Sequence, residues 1–171
     1  SGRHSAILNR NSIATDIINW KKSTVGSNAD GYLMNDGFLS LAGTTPGDWY
    51  PIGLGRLGIA DNQTGYLAVI NETVQKRYQT AEKLDRTKAT EWHRISLAVL
   101  ASGGDPRHMG VNGEIDLIAD GTYNRGLTVS PGRQGINGWI WGLIALDSKR
   151  YEVPSDAVNT REDFIVEILR T

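Results

Sequence analysis

Glu91, His93 and Arg94, three groups fit for proton transfer or charge neutralisation, stand together near the start of TEWHRISLAVLASGGDP, residues 90–106. The residues after them are almost wholly apolar, so the three polar groups open a helix otherwise built for burial. A further carboxylate, Asp48, precedes Trp49 as Glu91 precedes Trp92. Two carboxylates on neighbouring helices, about 8–10 Å apart by ordinary helix spacing, suit acid–base hydrolysis or elimination. His93 is then the proton carrier, and an arginine neutralises an anionic group. The same residues also have a structural use. Acidic groups in a first turn favour the helix dipole by about 0.3–1 kcal/mol, and an Arg–Glu or Arg–Asp pair between adjacent helices locks them together.

The elements that must position these groups share a phrase. GDWYPIGLGRLG begins at Gly47, TEWHRISLAVLASGG at Thr90 and NGWIWGLIALDS at Asn137, with tryptophans 43 and 47 residues apart. A period of this length means stacked supersecondary units, each too small to bury its own apolar face. The Trp helices are apolar nearly all round, which places them in an inner layer with Trp49, Trp92 and Trp139 as core wedges. One-sided stripes alternate with them: Ile13, Ile17 and Trp20 ahead of Lys21 and Lys22; Leu67, Ile70 and Val74; then Phe164, Ile165, Ile168 and Leu169 behind a Thr160–Asp163 capping box. Gly58 and the pair Gly103–Gly104 mark helix ends. No segment alternates like a strand. The expectation is one all-α domain over residues 1–171, with outer and inner helices in turn.

Between Gly103 and Gly138 lie nine glycines and two prolines around one short helical candidate, Glu114 to Ala119. Connections this long are usually functional or disordered. This one carries YNRG (Tyr123 to Gly126) and GRQG (Gly132 to Gly135) and leads into the third Trp helix.

Composition removes several classes. A net charge of −1 on 171 residues leaves no electrostatic excess for nucleic acid or an anionic membrane surface. Cysteine is absent, which excludes disulfides, thiolate chemistry and Cys-type zinc sites. Three histidines, His4, His93 and His108, show no metal-ligand spacing, so no metal is expected. Gly53 to Gly58 match GxGxxG but follow no strand, and no cofactor is expected. No apolar run is long enough to span a membrane.

The phrases AGTTPGDWYPIGLGRLG, KATEWHRISLAVLASGGDP and GRQGINGWIWGLIAL resemble the α/α-toroid of terpenoid cyclases and protein prenyltransferases. They are most similar to repeat-bearing proteins of Gram-positive bacteria, often secreted or surface-attached, over roughly residues 10 to 171. The resemblance implies a secreted or cell-surface place with its signal sequence removed; a cytoplasmic one stays open. It does not carry the families' chemistry across. Prenyltransferases hold zinc through Asp, Cys and His; cyclases use an aspartate-rich DxDD run that is missing here. The QxxxGxW motif is nearly met at Gln134 and Gly138, but Ile140 stands at its tryptophan position. A closed ring takes about six helix pairs, on the order of 250 residues or more, so three pairs and a final helix imply an incomplete, open arc, truncated C-terminally.

In such folds the inner helices aim their ends at a shared mouth. That implies a site gathering Asp48, Tyr50, Glu91, His93, Arg94 and Trp141. The loop residues Tyr123, Asn124, Arg125, Arg133 and Gln134 are expected to join them. The first expectation is a ligand-binding or scaffold module whose polar–aromatic mouth takes a small ligand, glycan or peptide, with self-association through the open edge. Cobalamin carriers of this fold bind without catalysis. The rival is a metal-free lyase or hydrolase of carbohydrate type, or a cyclase-like enzyme, using Asp48, Glu91 and His93. A purely structural repeat is the third.

Overall fold

The computed structural model describes residues 12–13, 15–20, 31–126 and 129–170. Their helices are α1 (15–20), α2 (Asp36–Leu39), α3 (Thr45–Leu57), α4 (Gln63–Arg77), α5 (Thr90–Ala101), α6 (Leu117–Gly121), α7 (Ile136–Asp147) and α8 (Arg161–Arg170). A 3-10 turn, Pro131–Gln134, precedes α7. Among the described residues there is no strand, only an isolated bridge between Met109 and Ile115. His4, Lys21 and Lys22 lie outside them.

Local chemistry sets most helix ends. Thr44 accepts from the Gly47 amide at the start of α3, and Gly58, at φ 65°, closes it in the left-handed conformation. Asn62 caps α4 and Asp116 caps α6 by the same device. The reciprocal capping box ahead of α8 forms as expected: Thr160 N donates to Asp163 (2.7 Å) and Asp163 N to Thr160 Oγ1 (3.2 Å).

The three Trp-led helices pack in succession, α3 on α5 and α5 on α7. Leu54 of α3, Tyr66, Ile70 and Val74 of α4, and Trp92, Ile95, Ala98 and Val99 of α5 form the main core. A smaller cluster joins α7 to α8 through Ile118, Ala145, Leu146, Tyr151 and Phe164. Phe164 meets the Trp139 ring edge-on at 5.0 Å. It lies so close to Gly142 that a Cβ there would come within 2.4 Å of the phenyl ring.

Three packing expectations need correction. Ile13, Ile17 and Trp20 are exposed, and Ile18 is the residue of α1 that packs on the core. In α8 only Phe164 is buried, while Ile165 is exposed and Leu169 is 79% exposed. The main neighbour of α8 among the described helices, α7, covers a narrow arc of it, and residues one position on are rotated about 100° out of that arc. Trp49 is no core wedge either: it is 40% exposed.

Candidate functional site

The first turns of all three Trp-led helices border one cavity of about 350 Å³. Thr45 and Trp49 come from α3, Thr90, Glu91 and Arg94 from α5, Asn137 and Trp141 from α7. Lys88 and Gln134 complete the wall. Trp49 and Trp141 meet edge to face with ring centroids 5.5 Å apart, the favoured geometry for two aromatic quadrupoles.

Gln134 is there for a structural reason as well. Ala89, at the N-cap of α5, has no side chain to cap with. Gln134 Oε1 accepts from Thr90 N at 3.1 Å instead, and its Nε2 donates to Thr90 Oγ1 at 3.0 Å. One long-range glutamine therefore satisfies an orphan amide of α5 and ties the GRQG turn to it.

Beneath the cavity lies a charge node. Asp48, 0% exposed, accepts from Gly43 N (2.9 Å), Tyr66 Oη (2.7 Å) and Arg94 Nε (2.8 Å). Arg94 also donates Nη1 and Nη2 to the two oxygens of Glu91, each at 2.7 Å, and Nη2 to the Gly43 carbonyl at 2.9 Å. The two carboxylates, each one residue ahead of a tryptophan, converge on one guanidinium. Burial works against the Arg94 charge, yet its bonds to Glu91 and Asp48 outweigh this and raise its pKa. Burial first, and then the Asp48 charge, pushes the Tyr66 phenol far above its usual range.

His93 does not reach the cavity. It is 1% exposed, and its Nε2 is 2.7 Å from the Gly121 carbonyl, to which the neutral ring donates. Burial pushes its pKa down to about 4. Its Nδ1 is buried with no hydrogen-bond partner among the described residues. Asp48 is buried on Arg94 and His93 is sealed away, so of the three only Glu91 borders the cavity, with its carboxylate held by Arg94.

No family model, curated protein or solved structure matches this chain.

Other expected mouth residues lie elsewhere. Tyr50 packs edge-on against Phe38 and points its hydroxyl at Asp61, 3.5 Å away. Burial, then the Asp61 charge, raises that phenol above its usual range. Tyr123 packs on the smaller core cluster and Arg133 is exposed, lining neither this cavity nor the next. Asn124 and Arg125 line a different cavity, together with Trp92. The cause is α6: a Cβ on Gly121 would stand 2.5 Å from Trp92 Cβ, so α6 abuts α5 on its Trp92 side. The YNRG turn directly after α6 is delivered there. Thr90, Glu91 and Arg94 share one face of α5, and Trp92 points some 100° or more away from each of them on average helical geometry. Sequence reasoning passed over Thr45, Lys88, Thr90 and Asn137. Their positions in or just before first turns were the only available signal, since neither their types nor their spacing spell a motif.

Among the described residues no group of three His, Asp or Glu side chains is placed to hold a metal ion. No helix there is long and apolar enough to cross a membrane.

Proposed function

We propose that this chain is a ligand-binding module, built on an open α/α-toroid-like arc, whose Trp49–Trp141 cavity takes the face of a neutral saccharide. The carrying observation is that partly exposed aromatic pair, set among Lys88, Thr90, Glu91, Gln134 and Asn137. Aromatic faces match the apolar face of a sugar ring, while amide, hydroxyl and charged side chains match its hydroxyl rim. Successive packing of α3, α5 and α7, with their first turns at one cavity, supports the arc. Exposed Val166 and Leu169 on α8 support self-association through its edge. The secreted or surface-attached bacterial setting has its support in the sequence resemblance alone.

Titration with a panel of neutral oligosaccharides, followed by tryptophan fluorescence, tests the reading. A saturable change is expected from at least one of them, with Trp141→Ala weakening affinity about tenfold, near 1.4 kcal/mol. No saturable change with any member, or unaltered affinity in the Trp49→Ala/Trp141→Ala double variant, refutes it.

A further inference from the structure

On the Trp92 side of α5 lies a second cavity, about 410 Å³ in volume, whose wall includes Lys83, Asp85, Trp92, Asp120, Asn124 and Arg125. Arg125 is its unusual member. The residue is 4% exposed, and its guanidinium carbon sits 4.4 Å from the centroid of the Trp92 ring. Among the described residues its buried Nε has no hydrogen-bond partner and no carboxylate forms an ion pair with it. Arg94, by contrast, has every guanidinium nitrogen engaged.

The nearby acids are already occupied. Asp85 accepts from Thr87 N at 2.9 Å and Lys88 N at 2.8 Å. Asp120 accepts from Tyr78 Oη at 2.7 Å and pairs with Lys83 at 3.8 Å. An arginine in this state is costly: its five donors want acceptors, and removing its charge from water is offset only by a partner. Stacking on Trp92 stabilises the flat face of the cation and leaves its edge unserved.

The plate beneath it is rigid. Trp92 Nε1 donates to Tyr78 Oη at 2.8 Å, and Tyr78 donates onward to Asp120. Gly121 lets α6 press against Trp92 from behind, where any Cβ would clash. The guanidinium is thus held by an indole that cannot swing away.

We propose that the Arg125–Trp92 cavity is a binding site for an organic monocarboxylate, held by the guanidinium edge with its apolar part toward Ala81 and Val129. A carboxylate matches the planar guanidinium fork with two parallel hydrogen bonds. Glu82, Asp85 and Asp120 border the same cavity against Lys83, Arg86 and Arg125, so the wall has no surplus of positive charge to hold a dianion. That selects a carboxylate over phosphate. The site is separate from the Trp49–Trp141 cavity and does not depend on how that one is read.

Sodium butyrate and inorganic phosphate, each titrated at pH 7 and constant ionic strength, provide the test. The readout is the side-chain N–H resonances of Arg125 and Trp92. Butyrate should shift both saturably in the millimolar range, with phosphate at least tenfold weaker. Arg125→Gln should abolish the Trp92 shift, and Arg125→Lys, which keeps the charge but loses the fork, should weaken it severalfold. Trp141→Ala should leave it unchanged. The inference is overturned by the absence of a saturable butyrate shift in the wild-type protein, by phosphate binding as well as butyrate, or by an equal Trp92 shift in folded Arg125→Gln. If neither Arg125 variant folds, the wild-type comparison of butyrate with phosphate decides.

Discussion

His93 and Arg94 are neighbours in sequence with opposite fates. Arg94 is a buried cation with two carboxylates and a carbonyl around it, and breaking such a set leaves an uncompensated charge, a loss of about 3–5 kcal/mol. His93 is buried neutral. Its folded pKa of about 4 lies below the ordinary value near 6.5. The unfolded chain therefore takes up a proton first as pH falls. The stability that His93 contributes is complete above about pH 6.5 and is lost progressively down to about pH 4. In that window its share of the slope is at most about 1.4 kcal/mol per pH unit. Urea unfolding at a series of pH values should show a shallower dependence in His93→Gln than in the wild-type protein. Parallel curves would mean that the imidazole protonates equally in both states.

At the scale of elements, α5 depends on a residue far along the chain for its first turn. Helices whose N-cap carries no acceptor leave amides unsatisfied, and here Gln134 supplies the acceptor across 44 positions. Gln134→Ala removes the cap and also frees the turn that leads into α7. It should lower stability by about 1 kcal/mol, the usual size for a lost cap. Chemical denaturation measures this directly, and a midpoint equal to that of the wild-type protein would show that water replaces the amide at no cost. Helix α8 makes the complementary point: its capping box was legible from Thr160 and Asp163 alone, because every atom involved lies within four residues.

Across the whole molecule, apolar burial is divided between a larger cluster around α3, α4 and α5 and a smaller one around α7 and α8. Phe164 anchors the smaller cluster, seated against Trp139 and Gly142. Phe164→Ala should cost about 3–5 kcal/mol, the usual range for an emptied aromatic site. The loss should be local in the first instance, since among the described helices α8 packs chiefly on α7. Native-state hydrogen exchange would then show α8 and the end of α7 opening well before α4 and α5. Uniform acceleration over the whole chain would show instead that the two clusters unfold as one.

The helical class, the places where the Trp-led helices begin and the caps at Gly58 and Thr160 were determined by the sequence alone, because apolar period and capping are short-range. The sequence also placed Asp48 and Glu91 each one residue ahead of a tryptophan. It could not say which groups each side chain would meet. Asp48 meets Arg94 across 46 positions and His93 meets Gly121 across 28. Whether a tryptophan becomes a wedge, as Trp92 does, or a half-exposed wall, as Trp49 does, depends on what packs over it. So does the turning of Arg125 away from the expected mouth, which results from α6 pressing on one side of α5. Those outcomes are set by contacts between distant segments, and only the tertiary structure contains them.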